Sequence, residues 1–304
     1  MQNVGIIGQG FVGGAIREGF KNHHNLFLFD KFSEAKSNTD LVGVVKNANI
    51  IFICVPTPMD ARTGQASTHI VEEVVTEIDE ISSEHGCSPT LIIKSTCPPG
   101  TAESINNSVS YCDVMFSPEF LTEANAVEDF KNQNRIIIGT CENASAEHVV
   151  EMFRTVFPEP VIIKVTTSRE AEMCKYIINT FLAVKVSFAN EVYDICNSMD
   201  IDYDTAKNLA NLDTRLGNSH WMVPGPDGDR GFGGHCFPKD LQALSYMADQ
   251  EGVESSVLKA AWTTNNRVRE DRDWEKQEGR AIINGDALKN KESGIKGFMS
   301  KLFA

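Results

Sequence analysis

The segment "NVGIIGQGFVG", residues 3–13, decides how the first half of the chain folds. An apolar run leads into Gly8, Gly10 and Gly13, which form a G-x-G-x-x-G pattern, and the amphipathic stretch "AIREGF" follows. Such glycines allow a tight turn between a strand and a helix and let a pyrophosphate approach the helix N-terminus. The alternative is that they only permit close packing of the strand against the helix.

Asp30 ends the next apolar run, "NLFLFD", 22 residues after Gly8. A carboxylate at the end of the second strand accepts hydrogen bonds from the adenosine ribose of a dinucleotide. Asp30 also favours NAD over NADP, because it would repel a 2′-phosphate, although the neighbouring Lys31 weakens this preference. We therefore predict a dinucleotide site formed by Gly8, Gly10, Phe11, Val12, Gly13 and Asp30.

Short β-branched runs continue to alternate with helix-like segments beyond Asp30. The runs are continuous rather than alternating, which is typical of strands in a parallel sheet that is buried on both faces. The pattern predicts an α/β fold in which residues 1–166 form a Rossmann-type, doubly wound parallel sheet. The further predicted strands are "NIIFICV", "TLIIKST", "DVMFSPE", "RIIIGT" and, at residues 160–165, "PVIIKV".

The second half of the chain is predicted to be helical. Residues 168–199 contain no Gly or Pro and predict one long helix with Ser168 as its N-cap. Shorter helices are predicted in "DYDTAKNLANL", "LQALSYMADQEG" and "SSVLKAAWTTNNRVR". We expect a helical central domain at residues 167–268, followed by a polar, solvated tail at 269–304 that ends in a short amphipathic stretch, "KNKESGIKGFMSKLFA".

The stretch "GFGGHCFPKD", residues 231–240, contains three glycines and a lysine-aspartate pair, a poor composition for either a helix or a strand. Pro238 is expected to restrict Phe237 to an extended conformation, so the stretch predicts a shaped loop. An isolated cysteine is usually a buried core residue. The loop around Cys236 favours a functional role for this cysteine instead.

Composition limits the classes of partner. The chain has 304 residues and a formal net charge of -14, which argues against a nucleic acid or an anionic membrane as the main partner. We see no secretory signal after Met1 and no apolar run of membrane length, so a cytoplasmic protein is expected. The eight cysteines contain no C-x-x-C pair, and we predict neither a metal site nor a disulfide framework.

Six motifs occur in a characteristic order: "GQGFVG", "CVPTP", "KSTCPPGT", "SPEFLTEANA", "EMCKYIINTFLAVK" and "GFGGHCFPKD". Over roughly residues 1–265 the chain resembles the UDP-glucose/GDP-mannose dehydrogenase family. The resemblance implies an oxidoreductase that uses two NAD to oxidise the C6 alcohol of a nucleotide sugar to a carboxylate through a covalent cysteine intermediate. UDP-glucose is the expected substrate; GDP-mannose, a UDP-N-acetylhexosamine, and a non-catalytic or partner-dependent NAD-binding module are the alternatives.

The resemblance assigns a chemical role to several residues. Cys236 would be the nucleophile, which forms a thiohemiacetal and then a thioester. Lys175 and Asn179, one helical turn apart, would stabilise the oxyanion. His235 as a base for the thiol is the less favoured assignment.

Three further residues complete this assignment. Asp240 and Thr96 would hold or activate a water, and Glu119 would be a general acid/base. Each role has a structural alternative. Lys175 could lie on the solvated side of its helix, Ser95 and Thr96 could end a strand, and Glu119 could be a capping acid.

The same resemblance implies the binding residues. NAD would contact Val55, Pro56, Thr57, Pro58, Ser95, Thr96, Glu123 and the stretch from Cys236 to Lys239. The sugar nucleotide would contact Glu119, Phe120, Leu121, Lys175, Asn179 and the loop from Asp227 to Gly233, which includes Gly231 and Phe232. Arg215 would reach into the site of a neighbouring subunit, which implies a homodimer.

The resemblance does not extend to the family's third domain, an α/β unit that closes over the nucleotide. The residues from 270 onward are too few and too polar to form such a unit. We therefore expect weak binding of the UDP-sugar by this chain alone, or a separate polypeptide that completes the UDP site.

Overall fold

The structure, a computed structural model, describes residues 1–142 and 144–284. Its strands are β1 (Asn3–Ile7), β2 (Asn25–Phe29), β3 (Ile50–Ile53), β4 (Met59–Asp60), β5 (Thr90–Ile93), β6 (Asp113–Phe116), β7 (Arg135–Thr140), β8 (Ile162–Thr167) and β9 (Ile282–Ile283). Its helices are α1 (Phe11–Phe20), α2 (Leu41–Asn47), α3 (His69–His85), α4 (Thr101–Asn106), α5 (Ala126–Lys131), α6 (Glu147–Val156), α7 (Ser168–Ser198), α8 (Tyr203–Ala210), α9 (Phe237–Gln250) and α10 (Ser256–Val268). Within the described part of the chain, no helix has both the length and the apolar character needed to cross a bilayer.

The chain divides into two compact units. The first contains residues 1–57 and 68–175, and the second contains residues 58–67 and the chain from Tyr176 onward. The predicted boundary at residue 166 falls just before α7, whereas the division by contacts falls after Lys175, within that helix.

The first unit contains a seven-stranded sheet in the order β2-β1-β3-β5-β6-β7-β8. Each strand predicted for this sheet is present, and the α/β Rossmann-like fold is confirmed. Five neighbouring pairs are parallel, but β7 runs antiparallel to β6. The connection between β6 and β7 therefore begins and ends at the same end of the strands. The purely parallel arrangement expected from the sequence is thus wrong at this one pair.

Apolar side chains cover both faces of the sheet. On one face, Ile51, Ile53 and Ile93 pack with residues of α2 and α3, including Val44 and Val75. The other face carries an aromatic cluster of Phe20, Phe52, Phe130, Phe153 and Phe157. Burial on both sides explains why the strand sequences are apolar at successive positions rather than at alternate ones.

Helix α9 begins earlier than the sequence predicts. Cys236 is its N-cap and Pro238 lies in its first turn, so the second half of "GFGGHCFPKD" is helical rather than an extended loop. Proline is compatible with a first turn because the N–H that it lacks has no partner within the helix. The prediction that Pro238 holds Phe237 in an extended conformation is therefore wrong.

Residues 270–284 are folded, whereas the sequence predicts a solvated tail. Trp274 is only 2% exposed and packs with Met59 and Ala281, and β9 pairs with β4 in parallel. The charged composition of this segment did not indicate a folded structure, because the burial comes from one tryptophan and a two-residue strand. The predicted amphipathic stretch at 289–304 lies outside the described residues.

Glu172 on α7 connects that helix to the start of α4. Its carboxylate is fully buried and accepts hydrogen bonds from the backbone N–H groups of Gly100, at 2.6 Å, and Ala102, at 2.8 Å. The N-cap Gly100 has no side chain that could satisfy these donors. Burial raises the pKa of Glu172 to about 7 although both N–H donors favour the ionised form.

We expect Glu172→Ala to lower the free energy of unfolding by about 2–4 kcal/mol, because two buried N–H groups lose their acceptor. The folded state holds the proton of Glu172 more tightly than the unfolded state, so this contribution decreases as the pH rises through about 7. Urea unfolding between pH 5 and pH 8 measures both effects. Glu170→Ala, which alters an exposed carboxylate on the same helix, is the control, and an equal loss in both variants would contradict the assignment.

Candidate functional site

The glycine-rich turn lies between β1 and α1 in the first unit. Gly8 has φ +87°, and a Cβ there would lie 2.4 Å from the carbonyl oxygen of Cys54. A Cβ at Gly13 would lie 1.9 Å from the carbonyl oxygen of Gly8, whereas one at Gly10 would meet nothing within 4 Å. Gly8 and Gly13 are thus required by the turn and its packing, and Gly10 leaves open space at the start of the helix.

This open space fits the pyrophosphate of a dinucleotide. No side chain caps helix α1, and the N-terminal end of a helix attracts an anion such as a pyrophosphate. Asp30 is fixed beside the turn, because its carboxylate accepts hydrogen bonds from the N–H groups of Gln9, at 2.7 Å, and Phe32, at 3.0 Å. Phe11 and Val12 form the first turn of α1. Lys36, which the sequence reasoning missed, donates to the carbonyl oxygen of Gln9 at 3.3 Å.

Most residues predicted to bind the cofactor follow the carboxyl ends of parallel strands. Val55, Pro56 and Thr57 follow β3, and Ser95 and Thr96 follow β5. Because these strands are parallel to β1, their ends share the edge at which the glycine-rich turn lies. The Ser95 hydroxyl donates to the carbonyl oxygen of Val55 at 2.6 Å, which joins the two segments.

Two other predicted cofactor residues lie elsewhere. Glu123 is exposed in a short 3-10 helix, Glu123–Asn125, that precedes α5. Pro58 belongs to the second unit, where it precedes β4.

Glu119 and Lys175 form a buried ion pair in the first unit. The Lys175 ammonium lies 2.9 Å from Oε1 of Glu119 and donates to the Glu119 carbonyl oxygen at 2.6 Å. Lys175 is 3% exposed, which excludes the solvated-face alternative. Burial alone would raise the pKa of Glu119, but the Lys175 ammonium and the Leu121 N–H outweigh it, and the pKa is lowered. Glu119 is therefore an ionised acceptor in this arrangement rather than a proton donor.

The two residues after Glu119 differ in their surroundings. Phe120 carries the guanidinium of Arg135 over its ring, at 4.2 Å from the ring centre, and Lys175 lies on the ring at 5.9 Å. Leu121 packs at the edge of the aromatic core of the sheet. The side chain of Leu121 therefore has a packing role, whereas Phe120 is part of the charged surroundings of Lys175.

Lys94 is a buried lysine that the sequence reasoning did not single out. Its ammonium donates to the Ser117 hydroxyl, at 3.2 Å, and to the Pro118 carbonyl oxygen, at 2.9 Å, and so supports the backbone that precedes Glu119. Burial lowers the pKa of Lys94 to about 8. A lysine at the end of the apolar run "TLIIK" was the available signal, because a charge next to a buried strand is costly.

Cys236 and Asp240 lie at the start of α9 in the second unit. Cys236 is half-buried, and its carbonyl oxygen accepts the first helical hydrogen bond, from the N–H of Asp240 at 2.9 Å. The Asp240 carboxylate is 1% exposed and accepts from the Asn179 amide at 2.6 Å and from the Lys239 ammonium at 2.5 Å. Cys236, Lys239, Asp240 and Asn179 are therefore assembled within one unit.

The position of Cys236 differs from that of the other cysteines. The N-terminal end of a helix favours negative charge, which suits a nucleophilic thiolate. By contrast, burial raises the pKa of Cys54 and of Cys112 to about 12, so these thiols remain protonated. Lys175 and Asn179 lie four residues apart on α7, hence on one side of that helix.

Asn265 of α10 is one of the residues that hold the loop before Cys236. The Asn265 side chain accepts from the Phe232 N–H at 2.7 Å and donates to the Phe232 carbonyl oxygen at 3.0 Å. Gly231 has φ +69°, and a Cβ there would lie 2.2 Å from the Asn265 oxygen. The Phe232 side chain is buried with Leu241 and Ala261. The side chain of Phe232 thus belongs to the core, and Asn265 is a residue that sequence reasoning missed.

Arg215 lies apart from these groups. Its side chain is 87% exposed, and its guanidinium pairs with Asp213.

His235 and Thr96 are both buried. Apart from Glu123, Pro58 and Arg215, the predicted residues form one set at the strand ends of the first unit and another around Cys236 in the second.

Comparisons with known proteins identify the family. Residues 26–157 match the UDP-glucose/GDP-mannose dehydrogenase family, NAD binding domain, and residues 169–267 match the central domain of the same family. A UDP-glucose 6-dehydrogenase from Pseudomonas aeruginosa is 31% identical over 234 residues, which are 74% of this chain and 50% of that protein. A UDP-glucose 6-dehydrogenase from Rickettsia bellii is 35% identical over 228 residues, which are 73% and 50% of the respective chains.

The fold has a solved counterpart in a UDP-glucose dehydrogenase from Pyrobaculum islandicum, with a TM-score of 0.78 and 28% identity, over 88% of this chain and 68% of that one. The chain spans about half the length of the two relatives from Pseudomonas and Rickettsia. The match to the NAD binding domain indicates NAD as the cofactor. With both domain models matched in order, the chain belongs to the UDP-glucose/GDP-mannose dehydrogenase family.

Proposed function

We propose that this protein is an NAD-dependent 6-dehydrogenase that oxidises UDP-glucose to UDP-glucuronate. The observation that carries the proposal is the buried network of Asn179, Lys239 and Asp240 at the helix start that presents Cys236. Buried charges cost stability, and a packed apolar cluster would hold this helix equally well. A reaction that uses the cysteine gives the network a purpose.

The chemistry requires two oxidations at one carbon. NAD, when bound, accepts a hydride in each of them. Between the oxidations the Cys236 thiolate adds to the aldehyde carbon, which forms a thiohemiacetal, and loss of its C–H hydride leaves a thioester. Water then attacks the thioester carbon, the carboxylate is released, and the thiolate of Cys236 is restored.

In this proposal, charged and polar side chains of the chain stabilise the oxyanion, accept a proton and orient the attacking water. The Lys175 ammonium and the Asn179 amide donate hydrogen bonds to the developing oxyanion. Glu119, held ionised by Lys175, accepts a proton, and Asp240 with Thr96 orients the attacking water. We also propose that this chain alone binds the UDP-sugar weakly or that a separate polypeptide completes the UDP site. Turnover is therefore best measured at millimolar sugar nucleotide.

A second copy of the chain is the proposed partner. Four large apolar side chains of α7 are more than half exposed: Ile177, Phe181, Phe188 and Ile195. Their spacing of four and seven residues places them on one side of the helix. An exposed apolar stripe of this length favours an interface. In the proposed homodimer, Arg215 reaches the substrate of the neighbouring subunit.

We expect the protein to form two NADH for each UDP-glucose consumed, and Cys236→Ser to lose acid production while its NAD affinity stays within twofold. A hydroxyl is a poorer nucleophile and a poorer leaving group than a thiolate. Absorbance of NADH over a panel of UDP-glucose, GDP-mannose and UDP-N-acetylhexosamines measures the turnover. Cys87→Ser is the matched control, and undiminished turnover in Cys236→Ser would remove the nucleophile assignment.

We expect Lys175→Met to lower kcat by a factor on the order of one hundred, because an oxyanion loses a charged donor. The variant also leaves Glu119 buried without its cation, so a double variant, Lys175→Met with Glu119→Gln, separates chemistry from stability. The double variant should regain thermal stability and remain slower than Glu119→Gln alone. Lys164→Met, at an exposed lysine, is the control. Glu119→Gln alone is the reference because Glu119 is itself assigned a catalytic role, and a double variant as fast as Glu119→Gln would show that Lys175 only balances Glu119.

We expect a dimer in sedimentation velocity at micromolar concentration and a monomer for Phe181→Asp, because a charge replaces the centre of the apolar stripe. Val257→Asp, at an apolar residue of α10 that is 66% exposed, should leave the dimer intact. In the dimer, Arg215→Ala should weaken the binding of the sugar nucleotide more than the binding of NAD. A monomeric unaltered chain would refute the proposed interface.

A further inference from the structure

We infer that residues 269–284 form a strap that fixes the backbone before Cys236, with Asp273 as the positioning residue for this cysteine. The strap begins beyond residue 267, where the match to the central domain ends. The inference rests on the proposed function for the role of Cys236. Its structural basis lies entirely within the second unit.

The strap has anchors besides its hydrogen bonds to the loop. Trp274 is buried, and its ring centre lies 5.6 Å from that of Trp262 on α10. Further along, the backbone of Ile282 and Ile283 pairs with Met59 and Asp60. These contacts hold the strap in place independently of Cys236, so it can serve as a fixed support.

Asp273 connects this support to the loop. Both of its carboxylate oxygens accept from the N–H of Gly234, at 3.1 and 3.0 Å, two residues before Cys236. A Cβ at Gly233 would lie 2.4 Å from Oδ1 of Asp273 and 2.2 Å from Nη2 of Arg269. Glycine at 233 therefore lets the strap approach the loop backbone directly.

Arg269 ties the strap to the earlier part of the same loop. Its side chain is 3% exposed, and it donates to the Asp227 carboxylate at 2.7 Å and to the Asp271 carbonyl oxygen at 2.8 Å. In return, Asp229 accepts from the N–H of Asp271 at 2.8 Å. The loop is thus bonded to the strap at several points along its length, from Asp227 to Gly234.

These contacts fix the backbone on both sides of Cys236. Gly234 has φ +70°, a conformation that glycine can readily leave, and its N–H is fixed by Asp273. From the other side, α9 is fixed by the buried carboxylate of Asp240. Cys236 lies between these two attachments, so its thiol is placed by Asp273 and by Asp240 together.

The test compares Asp273→Ala and Asp273→Asn with Asp271→Ala, which removes an exposed carboxylate of the same strap that pairs with Lys276. We expect Asp273→Ala to lower kcat at least tenfold with KM for NAD and UDP-glucose within twofold. The Cys236 thiol should also react with iodoacetamide at least threefold faster, as followed by peptide mass spectrometry, with Cys87 as the internal reference. Asp273→Asn keeps one acceptor oxygen for Gly234 and should restore most of both properties.

The outcomes separate this inference from the proposed function. If Asp273→Ala keeps the kcat of the unaltered protein and the same alkylation rate at Cys236 while its thermal stability falls, the strap is only structural and the inference is wrong. If the unaltered protein turns over no sugar nucleotide, the proposed function fails, and the alkylation rate alone decides whether Asp273 positions the thiol. If Asp273→Ala is too unstable to assay, Asp273→Asn, whose side chain has nearly the same shape as aspartate, is compared with the unaltered protein instead.

Discussion

Helix α7 must supply partners for buried polar groups along most of its length, and both units depend on this constraint. Towards its start, Glu172 satisfies the N–H groups of α4, and Lys175 neutralises Glu119. Later along the helix, Asn179 donates to Asp240 and Lys185 donates to the carbonyl oxygens of Leu216 and Gly217. Each of these groups would be costly to bury without its partner. A break in α7 would therefore remove several partners at once, which explains why 31 residues continue without glycine or proline.

The charges near the strand ends of the first unit show the balance between burial and pairing. Glu119 is ionised because Lys175 outweighs the cost of burial, whereas the same cost lowers the pKa of Lys94 to about 8. Pairs of this kind contribute little to stability in comparison with apolar packing of the same volume. Their presence at the carboxyl edge of a parallel sheet, where ligands of such folds bind, agrees with the nucleotide-sugar chemistry that we propose.

The surroundings of Cys236 depend on backbone bonds more than on side-chain packing. Asn265, Arg269 and Asp273 bond to the main chain or to the acidic side chains of one glycine-rich loop. Glycines at 231 and 233 are explained by these side chains, which occupy the places where a Cβ would lie. A loop with so little side-chain bulk has few conformational preferences, so its shape must be imposed by the elements around it.

Local pattern was enough to predict the strands, the long helix, the glycine-rich turn and Asp30, because each follows from a period or a spacing within a few dozen residues. The roles given to Cys236, Lys175 and Asp240 came from the ordered motifs. Tertiary structure decided the antiparallel pairing of β6 with β7, the burial of Lys94 and Lys175, and the strap at 269–284. These features join residues far apart in sequence, as Asp273 with Gly234 and Met59 with Ile282 show, and the energy of such a contact appears only when the backbone has brought both partners together.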